Sequence, residues 1–426
     1  MTMDHAWRAI PVGLLTVFVL AMVAFAETPD DASPQTSRDA ASTPIEQLRA
    51  AYAGPPETWP AFVVDEGVDA QELGTVPPVT HPDDNPPSAA KAKLGKQLFF
   101  DPRLSRSNQM SCASCHDPDL GWADGRTVSF GTDRLELPRN SPTVLGSGHF
   151  DTLFWDGRAD SLEDLTLQVI TNADEMHGVG DMVANKIGMI PEYRSAFAAV
   201  FDEDKPKPKA GPDGRDRGPR PARRATNPVT LDRIGQAVAA FVRTLEPGRS
   251  RFDRFLRRVS DSGDTSSFTD EELSGLHLYR TRAKCMNCHH GPMLTDGLTH
   301  VTGLHLYTRP KDYDIGAFEV TGDPADRGAF KTPHLRHIER TAPYMHHGLF
   351  ESLAVTVRAY NGGMRIGRPR GKYLDDPEFP TLSPLIHPLG LTEDDVQAIA
   401  AFLRTLTEPH RRVAPPELPR GLYGRD

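Results

Sequence analysis

Two five-residue motifs constrain this chain more than any other feature of it: Cys112-Ala113-Ser114-Cys115-His116 and Cys285-Met286-Asn287-Cys288-His289. Each places two thiols about one helical turn apart and follows them with a histidine. That is the arrangement needed to form two thioethers to a haem and to present an imidazole to its iron from the same side. The motifs contain all 4 cysteines of the chain, so no thiol is left over for a disulfide framework. Structural zinc would need four clustered ligands per site, and the flanking sequence offers no such set. Two covalently attached haems c are therefore expected.

The 426 residues suffice for two or three domains with cores of their own. A net charge of −10 gives no support to nucleic-acid binding. Residues 1–26 read as a signal peptide. The apolar run Pro11 to Phe25 ends at Ala24-Phe25-Ala26, which fits the small-x-small cleavage rule, although Asp4 and the single Arg8 make a poor basic start. The alternative is an uncleaved anchor over Ala9 to Ala26, just long enough to span a bilayer, and membrane association is expected only in that case. Either way the body is exported, and a periplasmic location is expected.

Residues 27–87 are expected to be disordered or extended, since they are rich in Asp, Ser and Thr and then in Pro-Pro pairs. Helical spacing is expected at Ala89 to Phe100, Leu162 to Ile170, Met182 to Phe201, Leu231 to Leu245, Thr269 to Tyr279 and Thr392 to Leu406. Thr269 and Glu272 stand in capping-box register. Residues 202–228, dense in Lys, Arg, Pro, Asp and Gly, read as a solvated surface insertion. The division that follows is an N-terminal haem domain over 88–201, a C-terminal haem domain over 229–410 and a tail over 411–426. No strand-rich region stands out, so the class is all-α with long loops and few strands.

Further motifs surround the first attachment site. They are Leu94-Gly-Lys-Gln-Leu-Phe-Phe-Asp101-Pro-Arg-Leu-Ser105, Arg139-Asn-Ser-Pro-Thr143, Phe154-Trp-Asp-Gly-Arg158 and Glu175-Met176. Phe330-Lys-Thr-Pro, Leu335-Arg336 and Thr341-Ala-Pro-Tyr-Met-His346 lie after the second. In order and spacing these resemble the bacterial dihaem cytochrome c peroxidase family, which includes the MauG enzymes that oxidise residues of a partner protein. The resemblance implies two cytochrome c-like haem domains with a calcium ion between the haems. It makes the His116 haem the peroxide site and the His289 haem the electron-transfer site.

The resemblance also assigns residues. Family members that need reductive activation carry a histidine ahead of the Arg-Asn-x-Pro-Thr motif. This chain has none between Asp117 and Gly148; Gly131 and Thr132 occupy the nearest positions, and His149 falls after the motif. An open first iron is expected. Glu175 matches the distal glutamate, which as a base moves a proton between the peroxide oxygens. Leu165 stands where a distal glutamine is usual, and Gln168 is the candidate substitute. Trp155 matches the tryptophan between the haems, whereas Trp122 reads as core. For the far ligand of the second iron the count falls on Tyr360, with Met364, Met345 and Met293 as rivals. A thioether would raise the potential and a phenolate would lower it. His290, His346 and His347 read as neighbours of the haems. Calcium would take the Asn140 side chain and the carbonyls of Thr341 and Pro343.

The first functional expectation is an exported oxidoreductase that reduces hydrogen peroxide with electrons from a small cytochrome c or cupredoxin. The alternatives are oxidation of a partner protein at the same site and a non-enzymatic dihaem electron carrier.

Overall fold

The computed structural model describes residues 44–202, 227–304, 314–364 and 377–421. The expected leader and residues 203–226 of the expected insertion lie outside them. No helix among the described residues is long and apolar enough to cross a membrane.

The described chain is one helix-rich unit. Its helices are α1 (Ile45–Ala51), α2 (Ala89–Phe100), α3 (Leu162–Thr171), α4 (Gly180–Gly188), α5 (Pro191–Asp202), α6 (Leu231–Val242), α7 (Arg251–Ser262), α8 (Asp270–Arg280), α9 (Phe318–Thr321), α10 (Leu353–Asn361) and α11 (Glu393–Thr405). The sheet among these residues is a single antiparallel pair, β1 (Thr299–His300) and β2 (Phe330–Lys331). Side-chain caps set most helix starts. Ser88, Ser161, Thr230 and Ser352 each accept a backbone N–H of the first turn. Capping boxes open α7, α8 and α11 through Ser250/Asp253, Thr269/Glu272 and Thr392/Asp395. The expected single helix over 182–201 is two, because Pro191 has no N–H to continue α4 and instead begins α5.

Two apolar cores organise these elements. One gathers Leu94, Leu98, Phe99, Trp122, Ile170, Tyr193, Phe197, Ile234 and Phe241. The other gathers Phe252, Phe255, Leu276, Tyr279, Phe350, Ile399 and Phe402. A helix crossing of the same form sits in each. A Cβ on Gly95 of α2 would lie 1.8 Å from the Ala237 carbonyl oxygen of α6, with Phe241 Cβ at 3.0 Å. A Cβ on Gly275 of α8 would lie 1.9 Å from the Ala398 carbonyl oxygen of α11, with Phe402 Cβ at 3.0 Å. Both backbones touch where only a glycine fits, and an attachment motif follows α2 and α8 alike.

The cores do not follow the expected division of the chain. Helix α6, assigned from sequence to the C-terminal part, packs in the first core. Leu48, Tyr52, Trp59 and Leu73, from the stretch expected to be disordered or extended, lie in the second. Arg280 fastens that stretch by bonding Glu72, the Tyr52 hydroxyl and the Pro60 carbonyl. At the far end, residues after α11 return to the first half. Val413 packs on its core, Gln97 Nε2 donates to the Glu417 carbonyl at 3.0 Å, and Arg103 reaches the Pro419 carbonyl at 3.0 Å.

Replacing Gly95 or Gly275 by alanine gains about 1 kcal/mol of helix propensity. The new methyl meets a backbone carbonyl that no rotamer change can move, so the helices must part. A net loss of roughly 1–3 kcal/mol is expected, read as a lower Tm of the haem-loaded protein.

Candidate functional site

The two attachment motifs fold alike. In each, a short 3-10 turn begins at the first cysteine, and the histidine N–H donates back to that cysteine's carbonyl, at 3.0 Å for His116 and 2.8 Å for His289. The four thiols are not joined in disulfides. Burial pushes them up, Cys112, Cys285 and Cys288 to about 12 and Cys115 to about 11. Cys112 and Cys285 pack against the two apolar cores, whereas Cys115 and Cys288 have acidic side chains near them, and all four are neutral thiols.

The histidines are fixed just as closely. His116 Nδ1 lies 3.1 Å from the Trp122 carbonyl oxygen and His289 Nδ1 lies 3.1 Å from the Leu294 carbonyl oxygen. A carbonyl only accepts, so each Nδ1 carries the proton and each Nε2 keeps its lone pair, as an iron ligand requires. Burial lowers both pKa values and keeps the rings neutral. The two acceptor residues share an uncommon backbone, φ 63° at Trp122 and 55° at Leu294. Trp122 is thus core, as expected, and its carbonyl also orients a ligand.

Around His289 the helices leave a mostly apolar cavity that opens to solvent. Cys285, Cys288, His289, Trp155, Met345 and Tyr360 line it. The thiols, the oriented imidazole and an apolar volume in one place fit a haem. Tyr360 comes from α10, and burial pushes its phenol pKa up. Of the rivals, Met345 also lines the cavity, whereas Met364 packs in the second core and Met293 lies off the lining. His346 lines the cavity and stacks on Phe330 at 3.6 Å; His290 and His347 do not line it. Cys288, Asp296 and His300 also form a metal-compatible cluster, but its thiol is one of the attachment cysteines.

Near the first motif, Glu175 stands in the loop after α3, 20% exposed. Asn172 Nδ2 donates to its Oε1 at 2.9 Å, and the Arg158 guanidinium lies 3.5 Å away. Burial raises its pKa above the usual carboxylate range, Arg158 and Asn172 pull it down, and Asp156 and Asp174 push it up. Its charge is felt at Cys115. Its backbone is clamped: Thr132 N–H lies 2.9 Å from the carbonyls of Asp174 and Glu175, and Thr132 Oγ1 donates to the latter at 2.7 Å. A Cβ on Gly131 would lie 1.8 Å from the Asp174 carbonyl oxygen. In this packing position 131 has no room for any side chain, a histidine included.

Arg158 was not singled out from sequence. It bonds Asp156 at 3.0 Å, and Asp156 accepts from Arg139 at 2.5 Å. Arg139 in turn bridges to Asp314 at 2.8 Å. The Phe-Trp-Asp-Gly-Arg and Arg-Asn-Ser-Pro-Thr motifs hold all of this chain of charges but Asp314. Gln168 donates to Asp164 at 2.7 Å and to the Arg158 carbonyl at 3.3 Å, so it supports Arg158 instead of meeting Glu175. Leu165 packs against the first core. His149 is half-buried near Glu246 and Arg336 rather than in the Glu175 loop, its pKa lowered mainly by burial. Trp155 Nε1 donates to the Asn140 carbonyl at 2.9 Å, and its carbonyl accepts from Lys331 N–H at 2.8 Å. Its neighbour Phe154 packs on the first core while Trp155 faces the cavity by His289. Asn140 Nδ2 donates to the Arg126 carbonyl at 2.6 Å, which leaves Oδ1 as the free donor atom for a cation.

The chain is similar to known di-haem proteins. Residues 89–261 match the family described as di-haem cytochrome c peroxidase. The methylamine utilization protein MauG of Methylorubrum extorquens is 35% identical over 341 residues, covering 80% of this chain and 85% of its own. The cytochrome c551 peroxidase of Nitrosomonas europaea is 34% identical, covering 76% and 81%. Among solved structures, a MauG-like protein associated with microbial copper homeostasis superposes with a TM-score of 0.64 at 32% identity, over 78% of this chain and 94% of that one.

Intact-mass and haem-stoichiometry measurements are expected to find two covalent haems. Cys285→Ala with Cys288→Ala should remove one of them and leave the other attached.

Proposed function

The chain belongs to the di-haem cytochrome c peroxidase and MauG family of oxidoreductases, and from that premise we propose that it is an exported enzyme reducing hydrogen peroxide to water. Electrons come from a small cytochrome c or cupredoxin, enter at the His289 site and pass Trp155 toward the His116 site. The observation that carries this reading is Glu175, a mostly buried carboxyl beside the first motif with a raised pKa and a fixed backbone.

When bound, the haem supplies the iron and the redox equivalents for cleaving the O–O bond. The protein supplies proton management. Ionised Glu175 takes the proton from the near oxygen of peroxide and returns it to the far one, which then leaves as water. Asn172 and Arg158 hold the carboxylate in place, and burial keeps its pKa high enough for the proton to be returned. One peroxide, two electrons and two protons give two waters. Gly131 and Thr132 keep the neighbouring loop against the Glu175 backbone, which supports an open site needing no activation. Two cytochrome c-like halves, each built on a glycine helix crossing, would hold the two haems. Asn140 Oδ1 and the carbonyls of Thr341 and Pro343 would hold a calcium ion.

A second reading is that the oxidising equivalents leave through the surface and modify a partner protein. Tyr360 at the His289 cavity favours it, since a phenolate ligand holds iron in its oxidised state.

Glu175→Gln is expected to lower peroxide turnover by about 10²–10⁴-fold, with both haem spectra unchanged. The base must be ionised, so kcat/KM should rise with pH through the Glu175 pKa, above the usual carboxylate value. Arg158 lowers that pKa, so Arg158→Met should move the acid limb to higher pH. An unmoved limb would argue against Glu175 as the titrating base.

For the second iron, Tyr360→Phe should alter the low-spin signal in electron paramagnetic resonance of the oxidised protein. Met345→Leu should leave it as it is; the reverse result would assign the ligand to Met345.

A further inference from the structure

One cation lining the His289 cavity has no part in the chemistry above. Lys331, on β2, is 9% exposed. Its ammonium lies 4.3 Å from the centroid of the Phe150 ring. Among the described residues no carboxylate lies within ion-pair distance of it. The nearest acid that acts on it, Asp296, is engaged by His300 at 2.7 Å. The adjoining His334 stacks on the same Phe150 ring at 5.7 Å and is neutral, since burial drives its pKa down to about 3.

A ring face offsets only part of the cost of desolvating an ammonium. Burial accordingly lowers the Lys331 pKa to about 8. A buried cation in this position calls for an anion, and the described residues provide none within ion-pair distance. The cavity that Lys331 lines also holds Cys285, Cys288 and His289, and the group these residues attach carries two carboxylates.

We propose that Lys331 is the counter-cation for a propionate of the haem attached at Cys285 and Cys288, and that it raises that haem's potential. The inference rests on the two-haem reading. A fixed positive charge beside the porphyrin favours the reduced iron electrostatically. Lys331 is also one backbone hydrogen bond from Trp155, so the same residue that sets the potential braces the expected electron path.

The test uses the protein with both haems attached and follows each haem in a spectroelectrochemical titration. Lys331→Met should shift the midpoint of the His289 haem to lower potential and leave the other in place, while Lys331→Arg should keep the wild-type value. Resonance Raman should show the propionate bending band shifted in Lys331→Met alone. Loss of the second haem in Lys331→Met but not in Lys331→Arg supports the same charge requirement. Unchanged potential and band in Lys331→Met overturn the proposal, as does equal haem loss in both variants, which would mark a packing role. A wild-type protein with a single haem would sink the two-haem reading itself, an outcome distinct from failure of the Lys331 assignment.

Discussion

Everything at the two metal-binding positions depends on one hydrogen bond made twice, from a motif histidine's Nδ1–H to a carbonyl a few residues on. It selects the tautomer, fixes the ring plane and so decides where an iron can sit. The acceptors, Trp122 and Leu294, adopt left-handed backbone conformations that neither residue type favours. Surrounding packing keeps them there: Trp122 is 6% exposed and Leu294 fully buried. The same local strain in both halves, paired with the same bond, is what a functional constraint leaves in a backbone.

The first site is governed by competition between burial and charge. Desolvation favours a neutral Glu175, whereas Arg158 favours its anion, and desolvation prevails. Arg158 is itself shared with Asp156, which is shared with Arg139, which reaches Asp314 in the second half. Asp156 stays ionised because two guanidiniums flank it, against the pull of its own burial. A carboxyl near one motif is thereby joined by alternating charges to a segment that belongs with the other.

Much of this was legible in the sequence. The attachment motifs, the limits of α2 and the capped starts of α8 and α11 follow from local chemistry, which acts over a few residues. Other features depend on distant parts of the chain. Gly95 and Gly275 look like weak points in helices until the partner carbonyls are placed. Helix α7 does not stand out in the sequence because its arginines mask the Phe252, Phe255, Leu256, Val259 stripe. Helix α1 hides in a polar, proline-rich stretch. Gln168 is near Glu175 in sequence yet turns to Asp164, a choice set by side-chain geometry. Tyr360 and Met345 both reach the cavity, which spacing alone could not decide between.

The two ends of the described chain cross over. Residues 45–73 complete the second core, α6 and Val413 complete the first, and Glu408 accepts the N–H groups of Gly248 and Arg249 at 2.8 and 3.0 Å. Severing the polypeptide near Pro247 would give neither fragment a whole interior. The halves are laced like a boot, so a swing that opens the gap between them has to undo both ends at once. If electrons pass between the two sites as proposed, such lacing would hold the tunnelling distance constant while surface loops remain able to vary.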